Sequence, residues 1–253
     1  MSGFFSPPGA AGGPPGGRAS GPVARHGLVY RLLWWVAMAL LAFVAGSVAL
    51  TAIYRFVPPP VTLTMILDPH GFNKQWVPIS RIDRSMVDAA IAGEDSRFCQ
   101  HHGFDTAGIA YAFRRDMDGG KLRGGSTISQ QTAKNAFLWQ GTGWTRIARK
   151  ALEAWYTVLI ETIWGKRRIM EVYLNVAETG IGTYGVEAGA QRYYGHSAAA
   201  LSQIEAARIA AALPAPKKRA VVGVSGSIRR HGNMIAARSG VVRRDDLDSC
   251  IYD

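Results

Sequence analysis

The stretch AGEDSRFCQHHGFD, Ala92 to Asp105, sets two adjacent acids, two adjacent histidines and a closing acid at the end of an apolar run. A carboxylate in such a place can act as a general base, which must lie within hydrogen-bond reach of the hydroxyl it deprotonates. A solvated helix end followed by a turn at Gly103 accounts for the same residues without any chemistry. His101 and His102 admit a metal site, but no CxxC, HExxH or comparable ligand pattern accompanies them, so no metal site is expected.

A second group lies in GGKLRGGSTISQQTAKN, Gly119 to Asn135. Its glycines suggest a phosphate loop, yet that motif needs a lysine immediately before Ser or Thr, and Gly125 precedes Ser126. What remains is a glycine-rich turn entering a helix capped by Ser126 or Thr127, with Gln130, Gln131, Lys134 and Asn135 on its first turns. Exposed N–H groups and a lysine there suit an anion; a plain loop and capped helix explain them equally. The third group is Arg149, Lys150 and Glu153. Base precedes acid at three- and four-residue spacing, an order worth at most a few tenths of a kcal/mol to a helix, so stability is a poor reason for it.

These groups need helices to hold them. Ser80-Arg81-Ile82-Asp83 fits a capping box, and Ile82, Met86, Ala90 and Ile91 recur at helical spacing to an end near Glu94. Ala148, Ala151, Leu152, Trp155, Val158, Leu159, Thr162 and Ile163 form an apolar stripe, with Arg146, Arg149, Lys150 and Glu153 on other faces. Upstream, PPPVTLTMILDPHGFNKQWVPIS has β-branched residues and turn formers but no long helical period, which reads as an extended linker or short strands. GKRRIMEVYLNVAETGIGTYGVEAGAQRYYG adds Lys166, Arg167, Arg168 and Glu171, then glycines interleaved with tyrosines that suit packing.

With 253 residues, 48% of them hydrophobic, the chain can bury one sizeable core. Residues 1 to 27 are rich in glycine and proline and read as a disordered tail, a transmembrane helix follows over 28 to 55, a linker over 56 to 75, and the globular domain over 76 to 253. Within the span, Leu32 to Tyr54 is uncharged between Arg31 and Arg55, with Trp34, Trp35 and Tyr54 at interfacial positions. It exceeds the apolar core of a signal peptide. Arg18, Arg25 and Arg31 precede it without an acid, which keeps the N-terminus cytoplasmic and the bulk of the protein extracytoplasmic. The net charge of +11 asks for an anionic partner. Outside the inner membrane, nucleic acid is scarce, which favours lipid phosphate.

EDSRFCQHHGFD, RGGSTISQQTAKN, RKALE, KRRIMEVYLN and GTYGVEAGAQRYYG together resemble the five ordered motifs of the bacterial peptidoglycan glycosyltransferases, over about Trp76 to Pro214. One membrane span without a long C-terminal extension points to the monofunctional branch. The resemblance implies a mainly α, lysozyme-like helical domain with a small mobile membrane-associated lobe. It implies polymerisation of lipid II into β-1,4 glycan by inverting transfer, with release of undecaprenyl pyrophosphate. By motif position, Glu94 matches the general base and Glu153 the second acid. Asp95 supports Glu94, Lys134, Arg149 and Lys150 match pyrophosphate holders, and Gln130, Gln131 and Asn135 join the substrate-binding set. His101 and Asp105 shape the turn. No cofactor is implied, stimulation by a divalent cation (Mg or Mn) stays open, and cell-wall synthesis or division proteins are the partners to expect. A lysozyme-like hydrolase would share the architecture and the glutamate, but not the cation cluster for a lipid pyrophosphate.

SQQTAKN departs from the commoner TQQLVKN but keeps both glutamines and the Lys-Asn pair. Beyond Pro214 only IRRHGNMI resembles the family's tail, which leaves that segment without a role. Cys99 and Cys250 permit one intramolecular bridge in an oxidising compartment, and it would pin the tail beside the helix carrying Glu94; a buried Cys99 with an exposed tail thiol is the plain alternative.

Overall fold

The computed structural model describes residues 23–108, 110, 125–141, 143–223 and 225–252, with side chains from residue 27 onward. The glycine-rich turn up to Gly124 and the tail over 1–22 lie outside the described residues. The chain divides between Ala45 and Gly46 into two compact units.

The first unit is the N-terminal part of helix α1, Val23–Phe56. Leu32, Leu33, Trp35, Val36, Leu40 and Leu41 are all exposed, as lipid-facing side chains are, and Trp34 and Trp35 meet edge to face at 4.8 Å. Gly27–Phe56 has a mean hydropathy of 2.3, long and apolar enough to cross a membrane.

The second unit opens with the last turns of α1, one face of which packs on the protein while Val48, Leu50, Ile53 and Phe56 stay exposed. At 34 residues α1 is about 50 Å long, well beyond a hydrocarbon core of about 30 Å. Trp155 donates to Ser47 Oγ at 3.0 Å, Trp164 to the Thr51 carbonyl at 2.7 Å, and Arg168 to the Tyr54 carbonyl at 2.8 Å. Tyr54, expected at a membrane interface, stacks on Phe137 at 5.6 Å. The uncharged run is therefore shared between two environments, which hydropathy cannot distinguish.

After a single helical turn α2 (Leu63–Ile66) and strand β1 (Asn73–Lys74), a 3-10 turn at Ile79–Arg81 leads to α3 (Arg84–Glu94). The helix starts later than the Ser80 pattern predicts. Asp83 N–H bonds the Ala198 carbonyl at 2.9 Å and Ile82 is extended, so Asp83 becomes the cap and accepts from Ser85 N–H at 2.8 Å. Met86 through Ala92 are buried without a break, as befits a helix wrapped on all sides.

A 3-10 turn at Phe98–Gln100 follows, then α4 (Ile128–Phe137), α5 (Trp144–Ile163) and α6 (Lys166–Val176). Strands β2 (Glu178–Gly180) and β3 (Thr183–Tyr184) complete a small sheet ordered β1-β3-β2, with β1 parallel to β3 in the register Asn73 to Thr183. Helices α7 (Val186–Tyr194), α8 (Gln203–Ala212), α9 (Gly226–Arg244) and α10 (Ser249–Tyr252) end the chain. Tyr173 and Tyr184 are core residues, in keeping with a packing role for the tyrosines. Gly185 at φ +85 begins α7 where any Cβ would lie 2.9 Å from the Asn175 carbonyl oxygen.

The tail acquires a structural place. Ile235, Val242 and Ile251 join the core. Arg84 forks onto the fully buried Asp248 at 2.7 and 2.9 Å, Arg243 binds Asp88 at 2.6 and 3.0 Å, and Arg167 donates to the Ile251 carbonyl at 2.7 Å. Cys99 and Cys250 are disulfide-bonded with Cα atoms 5.5 Å apart.

Candidate active site

Two acids at a helix C-terminus oppose the helix dipole, and the structure separates them. Asp95, buried, turns to α4 and accepts from Ile128 N–H, its first residue, at 3.0 Å, where the dipole favours a carboxylate. Both Asp95 oxygens also lie 3.0 Å from His101 Nε2. The Asp95–His101 pair thus ties the end of α3 to the start of α4. Glu94 turns away from that pair, and its Oε2 accepts from Gln131 Nε2 at 2.8 Å. Burial pushes the Glu94 carboxyl above the ordinary glutamate range; the Gln131 hydrogen bond and the charges of Arg219 and Lys134 oppose that rise, and Asp95 adds to it.

Thr127 caps α4, accepting from Gln130 N–H at 3.2 Å while the Gln130 side chain accepts from Thr127 N–H at 3.0 Å. Thr127 Oγ1 also donates to the Gly103 carbonyl at 2.6 Å. Gln130, placed by the motif in the substrate-binding set, therefore spends its side-chain carbonyl on the helix start. Gln131 and Lys134, three residues apart, share the face toward Glu94, whereas Asn135 is buried. Burial pushes the Lys134 ammonium down, Glu153 and Glu94 raise it, and Arg149 and Lys150 lower it further. Lys134 thus links the two acids electrostatically.

On α5, Glu153 is only 3% exposed and each oxygen has a cation: Arg149 at 2.6 Å and Lys150 at 2.5 Å. Spacing alone undervalues this trio, because the exposed-helix figure does not apply to a buried carboxylate. The Arg149 Nε is buried without a hydrogen-bond partner among the described residues, while Lys150 is half exposed and reaches Ser126 Oγ at 3.4 Å. Cations with donors to spare, beside a desolvated carboxylate, can hold a polyanionic leaving group while a proton is removed nearby.

His101 and Asp105 do serve the turn: Asp105 accepts from Gly108 N–H at 2.8 Å and pairs with Arg97 at 3.3 Å. Among the described residues, no group of three His, Cys, Asp or Glu side chains is arranged to hold a metal ion. Two residues near Glu94 escaped the sequence reading. The Tyr173 hydroxyl, buried and unpartnered among the described residues, is pushed far up by desolvation and by the Glu94 and Asp95 charges. Arg219 stands in the LPAPKKRA stretch, part of the segment left without a role.

The transglycosylase family model matches residues 62–239. The chain is 48% identical over 227 residues to a biosynthetic peptidoglycan transglycosylase of Caulobacter vibrioides, covering 88% of this chain and 98% of the relative. Proteins of the same description from Rhodospirillum centenum and Xanthomonas axonopodis pv. citri are each 44% identical, covering 89% and 85% of this chain and 98% and 87% of the relatives.

Proposed function

This chain belongs to the transglycosylase family, and from that membership we infer that it is a peptidoglycan glycosyltransferase, polymerising glycan chains in cell-wall synthesis. We propose lipid II as the substrate. Glu94 takes the proton of the acceptor 4-hydroxyl, and the resulting oxygen attacks the anomeric carbon of the growing chain. The bond to undecaprenyl pyrophosphate breaks with inversion, leaving a β-1,4 link and a pyrophosphate that carries away the bonding electron pair.

The observation that carries this reading is the pairing of a desolvated Glu94 with a cation set on the neighbouring helices. A base serves best with its pKa nearer the working pH, and burial moves Glu94 that way. Lys134, Arg149 and Lys150 supply the charge that favours departure of the pyrophosphate. Glu153 positions Arg149 and Lys150, and Asp95 positions α4. The reaction as written needs no cofactor; a divalent cation, Mg or Mn, would act on the leaving pyrophosphate.

The N-terminal helix supports a single-pass anchor, and the arginines before it support a cytoplasmic N-terminus with the catalytic domain on the outer face of the inner membrane. Cell-wall synthesis and division proteins are the partners that such a location offers. The test is incubation of the full chain with lipid II in detergent. Glycan polymer is expected from the wild type and none from Glu94→Gln, which keeps the side-chain size and removes the acceptor. Residual Glu94→Gln activity within about tenfold of wild type contradicts a base contribution of about 10²–10⁴. Cleavage of finished glycan without polymerisation points to the hydrolase instead.

A further inference from the structure

The segment after α8 is bound down at several points. Lys217 Nζ lies 2.7 Å from the buried Asp68 and 3.6 Å from Glu178, and Asp68 also accepts from the Tyr184 hydroxyl at 2.7 Å. Lys218 and Arg219 N–H groups close turns onto the Ala215 carbonyl at 2.9 and 3.0 Å, and Val221 is buried. The Arg219 guanidinium donates through one terminal nitrogen to the Ala211 carbonyl at 2.8 Å, satisfying the end of α8. That end of α8 lies against the end of α3: a Cβ on Gly93 would sit 3.9 Å from Ala210 Cβ. The Arg219 guanidinium is therefore held at the end of α8 that meets the residue preceding Glu94, and its charge is felt by the Glu94 carboxyl.

We propose that Arg219 is a positioning residue for the base, its guanidinium fixed on the Ala211 carbonyl so that its charge keeps the Glu94 carboxylate ionised and ready to accept the hydroxyl proton. This rests on the reading of Glu94 as the base.

The charges around Glu94 come from every neighbouring element. Asp95 follows it on α3, Lys134 comes from α4 together with the Gln131 donor, and Tyr173 from α6. Arg149, Lys150 and Glu153 of α5 bear on Lys134. The α9 side chain at the Gly93 contact is the uncharged Ile235, and Arg243 of α9 is engaged by Asp88. Among these, the Arg219 and Lys134 charges both oppose the effect of burial on Glu94. Lys134 also has a leaving group to serve, whereas Arg219 acts from the α8 side. Taking away the Arg219 charge favours the neutral acid, so the fraction of ionised base is lost at a higher pH as the solution is acidified.

The experiment is the pH profile of kcat/KM for lipid II polymerisation by the full chain, for wild type, Arg219→Gln and Arg219→Lys. Arg219→Gln retains an amide donor while removing the charge. Its acidic limb is expected to move to higher pH, with activity on that limb down by about fivefold or more and the alkaline plateau within about threefold of wild type. Arg219→Lys should return the limb toward wild type. A limb that does not move in Arg219→Gln overturns the proposal. So does a uniform fall across pH with an earlier melting transition, which marks a merely structural residue. Wild-type-like activity in Glu94→Gln overturns the base reading and this proposal together, whereas an inactive Glu94→Gln beside an unshifted Arg219→Gln profile overturns this proposal alone.

Discussion

The Cys99–Cys250 bridge closes a loop with a sequence separation of 151. Replacing both cysteines by alanine removes the crosslink without leaving a lone thiol. In the native state little else changes, because Arg84–Asp248, Arg243–Asp88 and Arg167 on the Ile251 carbonyl still hold the tail. The effect falls on the unfolded chain, which regains the freedom the crosslink denied it. For a loop of that size the chain-entropy relation gives about 5 kcal/mol at 25 °C. At about 2–4 °C per kcal/mol for a domain of this length, the transition should fall by about 10–20 °C. The measurement is thermal unfolding of the full chain in detergent by circular dichroism, wild type against Cys99→Ala/Cys250→Ala, with mass spectrometry confirming the crosslinked peptide pair in the wild type. Reduced wild type should melt with the variant. A fall below about 3 °C in protein verified as bridged refutes the argument and shows an unfolded state already compact enough that the crosslink constrains little. Polymerisation well below the transition should stay within about threefold of wild type, since the bridge supplies none of the proposed reacting groups.

Lys134→Ala should lower kcat by about 10²-fold or more, as loss of a charge-stabilising donor does, with the melting temperature nearly unmoved because the ammonium is desolvated and unpaired among the described residues; preserved specific activity defeats its assignment to the leaving group. Arg149→Ala should lose similar activity and also cost about 1–3 kcal/mol, because buried Glu153 keeps only the half-exposed Lys150; denaturant melts read that difference from Lys134→Ala. Thr127→Ala removes the cap of α4 and its bond to the Gly103 carbonyl, for a loss of about 1–2 kcal/mol in urea unfolding; an unchanged midpoint means that the capping box does not hold the helix start.

Much of the site was legible because its residues recur at fixed spacing on single helices. Glu94 at the end of an apolar run, Gln131 and Lys134 on one helical face, and Arg149 with Glu153 one turn apart are local relations, and local spacing survives folding. The span was equally legible, since 23 uncharged residues between two arginines state their preference without a partner. The cap of α4, read as Ser126 or Thr127, likewise belongs to a short stretch of chain.

The rest depended on distance through space. Nothing in Glu94-Asp95 says which acid will be free; the arrival of α4 decided it, by offering Asp95 a helix N-terminus and His101 a carboxylate. Nothing in LPAPKKRA separates Lys217, spent on Asp68, from Arg219, which closes the end of α8 on the Ala211 carbonyl, until the end of α8 meets the end of α3. The last turns of α1 keep apolar side chains exposed, as the span reading requires, and only the face with Ser47, Thr51 and Tyr54 found partners in the domain. The tail past Pro214 resembled little and turned out to be fastened by two ion-paired acids and a disulfide. Pattern reports what one segment prefers in isolation, while burial, partner and charge environment are properties of pairs of segments. Such pairs are fixed only when the whole core closes and each polar group must find its partner within it.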